Sequence, residues 1–137
     1  MKVLVLGATG NMGSRLIPAL LVHKHSVVAY VRSESKLKDK LPSSLTSEIK
    51  IVTGNAEDSA AITEALVTNR CDALVNTAGL GTVLPWQTPR MQGIIHAAAD
   101  AAVEAGKTLK SPLRCWFMGG MTALDFPGPQ GLQIVKR

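Results

Sequence analysis

Apolar residues come in short runs, and the runs alternate with longer stretches in which apolar positions recur every three or four residues. Lys2-Val-Leu-Val-Leu6 is brief and continuous, the pattern of a strand buried on both faces of a parallel sheet. Met12, Leu16 and Leu20, with Ile17 and Leu21, then fall at helical spacing; Asn11 is the candidate N-cap, and Pro18 inside the helix predicts a bend. Ser26 to Val31 reads as a second strand, and Ser33 is placed to cap a short basic helix through about Lys40. A loop over residues 41–47 leads to a third strand, Glu48 to Val52. Asp58 is placed to cap a helix carrying Ile62, Ala65 and Leu66 on one face, and Asp72 to Asn76 reads as strand four. An alanine-rich helix from about Pro89 to Ala105, with Gly106 as its stop, precedes strand five, Leu113 to Met118.

Strands separated by helical stretches are βαβ units, and their crossovers are right-handed. The chain is therefore predicted to be an α/β, doubly wound parallel sheet of five strands in the order 3-2-1-4-5, with helices on both faces. At 137 residues, 46% of them hydrophobic, it has enough material for one domain over residues 1–137 and too little for two. A sixth strand of a full dinucleotide fold has no room.

Charge changes this picture little. The formal charge is +5, but the basic residues are scattered and aromatics are only 4%, so a nucleic-acid partner is not expected and a small anionic ligand accounts for part of the excess. No apolar stretch has the length of a signal-peptide core or a membrane span. Cys71 and Cys115 lack metal-ligand spacing, which predicts free thiols in a reduced, cytoplasmic setting, with Cys115 in the core of its strand. His23, His25 and His96 have no third ligand at suitable spacing, so no metal is expected.

The candidate chemistry lies between the first strand and the first helix, where Gly7-Ala-Thr-Gly-Asn-Met-Gly13 places three glycines in seven residues. Gly7 permits the turn, Gly10 removes the Cβ that would block a pyrophosphate, and Gly13 lets the helix pack on the strand. The N–H groups around Thr9, Asn11 and Met12 and the positive end of the helix dipole then face the anion. The coenzyme type is read at the end of strand two, where an acidic residue selects NAD and cations select a 2′-phosphate. Here the residues are Arg32, Ser33 and Lys36, which predicts NADP(H) with NADPH preferred over NADH.

The glycine motif with Val31-Arg-Ser-x-x-Lys36 resembles the atypical and extended branches of the short-chain dehydrogenase/reductase superfamily. It resembles especially NmrA-like NAD(P)-binding proteins and the NADPH-dependent biliverdin/flavin reductase group, over Met1 to about Gly128. The resemblance implies that Asn55 and Ala56, after Gly54, touch the adenine, with Asn55 where relatives usually carry Asp. It implies that Thr77, Ala78 and Gly79, after Asn76, line the nicotinamide-side ribose, and that Gly119 and Gly120 stand where catalytic relatives carry serines. The Tyr-x-x-x-Lys acid pair of the main branches has no counterpart, since the one tyrosine is Tyr30 in strand two. Thr122 reads as a loop residue, and Trp86 either faces the substrate cleft or covers the sheet. Relatives also continue into a C-terminal substrate-binding part. Without it strand five is an edge, to be covered by Leu132 to Val135 of the same chain or by a second copy in a homo-oligomer. Two functions follow: an NADPH-dependent oxidoreductase acting on a small molecule, or a non-catalytic NAD(P)-binding redox sensor or regulatory module of the NmrA-like type.

Overall fold

A computed structural model of the protein describes residues 1–79 and 88–118. Its elements run β1 (Lys2–Leu6), α1 (Asn11–Val22), β2 (Ser26–Val31), α2 (Glu34–Lys40), α3 (Ser43–Thr46), β3 (Lys50–Thr53), α4 (Ser59–Thr68), β4 (Ala73–Asn76), α5 (Thr88–Leu109) and β5 (Arg114–Phe117). All neighbouring strands pair in parallel, in the order β3-β2-β1-β4-β5. The sheet order expected from the alternating runs is the one observed.

Alternate residues of each strand point to opposite faces, so the sheet has two cores. Leu4, Leu6, Val28 and Leu74 pack on one side against α4 and α5. On the other side Val3, Val5, Val27, Ala29 and Val31 pack with Ile17 of α1 and Leu37 of α2. The alanines of α5 explain how so long a helix lies close to the sheet: Ala98, Ala101 and Ala105 are fully buried, and small side chains bring backbones together.

Several boundaries differ from the sequence reading. Residues 41–47 contain the short helix α3, because the Pro42 carbonyl at its start accepts from the N–H groups of Leu45 and Thr46 at 3.0 and 3.1 Å. The Glu48 N–H is held by the Leu45 carbonyl in that turn, so β3 begins at Lys50. Pro18 lies inside α1, which runs on through Val22; its missing N–H withdraws the donor that the Ser14 carbonyl would otherwise receive.

Gly106 is not the stop of α5, which continues to Leu109. The helix ends instead at Lys110, whose φ is 53°. There the Lys110 N–H reaches the Lys107 carbonyl at 3.2 Å and the Ser111 N–H reaches Gly106 at 3.1 Å. The same pair of closing bonds ends α1 at Lys24 and α4 at Arg70, with φ of 59° and 49°. These are Schellman ends with a basic residue in the left-handed position that glycine usually fills, which is why a search for glycine misses them.

Cys71 is buried, whereas Cys115 is exposed, contrary to the expectation of a core position. It sits in β5, the strand at the end of the sheet, where every residue from Arg114 to Phe117 is exposed and Trp116 is 72% accessible. Burial here follows position in the sheet, and an end strand has fewer neighbours to supply it.

Candidate functional site

The carboxyl ends of β1, β2, β3 and β4 open onto one cleft of about 280 Å³. In a doubly wound sheet this is where ligands bind, beside the point at which the strand order reverses.

Gly7, Thr9 and Gly10 border it from the loop after β1. Gly7 has a φ of +77° and touches the loop after β4 so closely that a Cβ would lie 2.5 Å from the Ala78 nitrogen and 2.7 Å from the Thr77 carbonyl carbon. Gly10 differs: its φ is −76° and a Cβ would meet only the Gly7 oxygen, at 3.1 Å, so its other side is open. A Cβ on Gly13 would collide with the Gly7 carbonyl oxygen and come within 2.7 Å of the Ala8 Cα. Gly13 thus allows α1 to pack on the loop backbone itself, a closer contact than the strand packing expected for it.

Gly10, and not Asn11, is the N-cap of α1. The Gly10 carbonyl already accepts the first helical bond, from the Ser14 N–H at 3.0 Å, which places Asn11 inside the first turn. No side chain caps this end and no acidic residue stands in the first turn. The amides of Asn11, Met12 and Gly13 are the first donors of a helix, with the bare Gly10 beside them; of these residues Gly10 borders the cleft and the other three do not. The Met12 side chain is 52% exposed and lies off the packed face predicted for it, which Ile17, Leu16 and Leu20 supply.

The ends of β2 and β3 form the next wall. Arg32 borders the cleft, while Ser33 and Lys36 do not. The Ser33 hydroxyl is engaged locally, 2.9 Å from Ser35 Oγ and accepting from the Lys36 N–H at 3.5 Å as the cap of α2. Tyr30 lies underneath: its ring is buried, and its hydroxyl donates to the Asn55 carbonyl at 3.3 Å. A Cβ on Gly54 would run into that ring, so glycine is required for Tyr30 to reach the cleft. Burial, and then the charge of Asp58, push the Tyr30 phenol above its usual range, keeping it neutral and a donor. Asn55 and Ala56 both border the cleft. The Asn55 side-chain oxygen accepts from the Glu57 N–H at 3.1 Å, so what this amide offers a ligand is its NH2 group.

On the other side of the glycine loop Thr77, Ala78 and Gly79 border the cleft. Thr77 is tied to the end of β1 twice, its N–H and its hydroxyl both donating to the Leu6 carbonyl, at 3.0 and 2.7 Å. The buried Asn76 accepts from the Ala78 N–H at 3.0 Å and turns the chain there. Thr77 therefore spends its hydroxyl, and Asn76 its side-chain oxygen, on the loop itself. Gly119, Gly120, Thr122 and Trp86 lie outside the described residues.

Glu57, Arg90 and Ile94 also border the cleft, and sequence reading missed all three. Arg90 and Ile94 are one turn apart at the start of α5, and nothing in the chain between β4 and α5 signals that this turn folds back over the loop after β3. Among the described residues no group of three or more His, Cys, Asp or Glu side chains is arranged to hold a metal, and no helix is long and apolar enough to cross a membrane.

A family model described as NAD(P)H-binding matches residues 7–108, which include the glycine loop and the cleft residues that follow β2, β3 and β4. The chain belongs to this NAD(P)H-binding family. The match agrees with the short-chain dehydrogenase/reductase resemblance carried by Gly7 to Gly13. Family members are expected to bind a nicotinamide dinucleotide, and the glycine cradle has the geometry for one. The fold is shared with serine dehydrogenase from Escherichia coli, at a TM-score of 0.72 and 22% identity over 89% of this chain and 63% of that one. It is also shared with the Bordetella bronchiseptica enzyme WbmG in complex with NAD and UDP (0.70, 16%, 96% and 41%). UDP-glucose 4-epimerase from Thermotoga maritima, solved with UDP-glucose, is a third (0.71, 16%, 90% and 39%). At these identities the likeness is one of fold, and the chain spans less than two thirds of each of these proteins. No curated protein matches the chain.

Proposed function

We propose that this chain is the coenzyme-binding part of a cytoplasmic oxidoreductase that uses NADP(H), with NADPH preferred over NADH, on a small-molecule substrate. The observation that carries the reading is the cleft itself: an uncapped helix start with a bare Gly10 faces the same space as Arg32. The diphosphate sits on the amides of Asn11, Met12 and Gly13. The adenine lies toward Tyr30, Asn55 and Ala56, and the nicotinamide-side ribose lies along the backbone of Thr77, Ala78 and Gly79. Arg32 takes the position where an NAD-selective site carries an acid, and its guanidinium forks onto a 2′-phosphate. Ser33 caps α2 by accepting, so its O–H remains a donor for the phosphate, and Lys36, one turn on, adds positive charge to that pocket. When bound, the coenzyme supplies hydride chemistry, and the protein positions it.

Titration with NADPH and NADH tests the reading. Arg32→Ala should weaken NADPH by about one to two orders of magnitude, the cost of a lost charged hydrogen bond, and leave NADH nearly unchanged. Equal losses for the two coenzymes would refute the 2′-phosphate assignment. Oxidation of bound NADPH by flavin, quinone or biliverdin-like acceptors then distinguishes turnover from a sensor that binds without reducing anything.

A further inference from the structure

Glu57 and Arg90 are 33 residues apart in sequence and meet at the cleft. Arg90 Nε donates to Glu57 Oε1 at 3.2 Å, and a terminal guanidinium nitrogen donates to Oε2 at 3.5 Å. This is the forked geometry in which one guanidinium occupies both oxygens of a carboxylate. Arg90 is half-exposed and Glu57 is 29% exposed, so the pair lies at the rim. Among the described residues bordering the cleft, Glu57 alone carries negative charge.

A carboxylate in such a cleft has two consequences. Unmasked, it accepts hydrogen bonds from a ribose hydroxyl, the property by which acidic residues select coenzymes lacking the 2′-phosphate, and it repels any phosphate nearby. With both oxygens turned to Arg90, at 3.2 and 3.5 Å, its charge is balanced and one side of each oxygen is taken. The neighbouring acid, Asp58, is also committed, its carboxylate accepting from the Ala61 N–H at 3.0 Å as the cap of α4.

We propose that Arg90 is a specificity-determining residue that masks the Glu57 carboxylate, so that the adenosine end of the cleft accepts a phosphorylated ribose. The role rests on the NADP(H) reading above. It differs from that of Arg32: Arg32 attracts the phosphate, and Arg90 removes the charge that would reject it.

The test is a titration of NADPH and NADH against the intact chain, Arg90→Gln and Arg90→Gln/Glu57→Gln. Removing the mask alone should weaken NADPH about tenfold and NADH by less than about threefold, the penalty being like-charge repulsion in a partly exposed site. Neutralising the carboxylate as well should return NADPH to within about threefold of the intact chain. The deficit of the single variant should shrink as salt is raised, because the repulsion is screened. Thermal melts of both variants establish that each is folded. NADPH affinity unchanged in Arg90→Gln overturns the proposal, as does a double variant as weak as the single one, which would mean that Arg90 contacts the phosphate directly. Failure of the intact chain to bind either coenzyme would sink the NADP(H) reading itself, a result distinct from both.

Discussion

Alanine at Gly7 and alanine at Gly10 should damage the protein in different ways, although the two glycines belong to one motif. At Gly7 the backbone is left-handed, φ +77°, which costs an L-residue about 1–2 kcal/mol. The added Cβ would also sit 2.5 and 2.6 Å from the nitrogen and Cα of Ala78, and neither is the end of a flexible side chain. Relief requires the loop after β4 to retreat from β1, which stretches the two bonds that Thr77 makes to the Leu6 carbonyl. Overpacking of this kind adds about 1–3 kcal/mol. The sum, about 2–5 kcal/mol, is a large part of the roughly 5–15 kcal/mol that holds a domain together. At Gly10 the φ is an ordinary −76° and the one close atom is the Gly7 oxygen at 3.1 Å, so alanine should change stability by no more than about 1 kcal/mol. Its methyl group nevertheless enters the space a diphosphate would use, and NADPH affinity should fall by about tenfold or more. Urea unfolding followed by far-ultraviolet circular dichroism measures the first quantity and coenzyme titration the second. A Gly7→Ala protein within about 0.5 kcal/mol of the parent would refute the steric argument. A Gly10→Ala protein with undiminished affinity would refute the cradle.

Two further outcomes are expected. The left-handed Lys110 that ends α5 should gain from glycine: Lys110→Gly relieves the strain at φ 53° at some entropic cost in the unfolded chain, for a net stabilisation of about 0.5–1 kcal/mol by urea titration, and a loss of stability would contradict the Schellman assignment. Burial pushes the Cys71 thiol from 9.0 up to about 11, against the smaller lowering by Lys2. The unfolded thiol then ionises first, so stability is full below about pH 9 and falls as pH rises toward 11; Cys71→Ala should flatten that part of the curve, and an unchanged slope would count against the burial.

Much of the fold was legible because its signals are local. A continuous Lys2–Leu6 run, a three-to-four residue period in α1 and a cap such as Ser33 or Asp58 depend only on neighbours in the chain, and each element appeared near its expected place. The misreadings came where a local rule met a competing contact. Gly106 has the composition of a helix stop, but α5 runs on to Leu109, and its closing bonds, Lys110 N–H to Lys107 and Ser111 N–H to Gly106, form one turn later; the roughly 1 kcal/mol that one glycine costs inside a helix does not end it. Asn11 is a good cap by residue type, yet the Gly10 carbonyl receives the first helical bond and takes that position. Cys115 has a core residue's chemistry and an edge strand's exposure. In the site, Gly7, Gly10 and Arg32 were legible from their places just after strand ends, whereas Asn55 and Thr77 were expected from the family resemblance.

The sequence by itself determined the alternation of strands and helices, the glycine turn after β1 and the basic residue after β2, since each is written within a few consecutive positions. Only the tertiary structure decided what each glycine makes room for inside the fold: the Thr77–Ala78 backbone lies across from the missing Cβ of Gly7, and the Gly7–Ala8 backbone across from that of Gly13. It also decided that Ser33 and Lys36 stand outside the cleft lining and that Glu57 and Arg90 share it. The reason is distance: residues 33 or 71 apart in sequence exert hydrogen-bond and ionic forces only after the fold has brought the elements that carry them together.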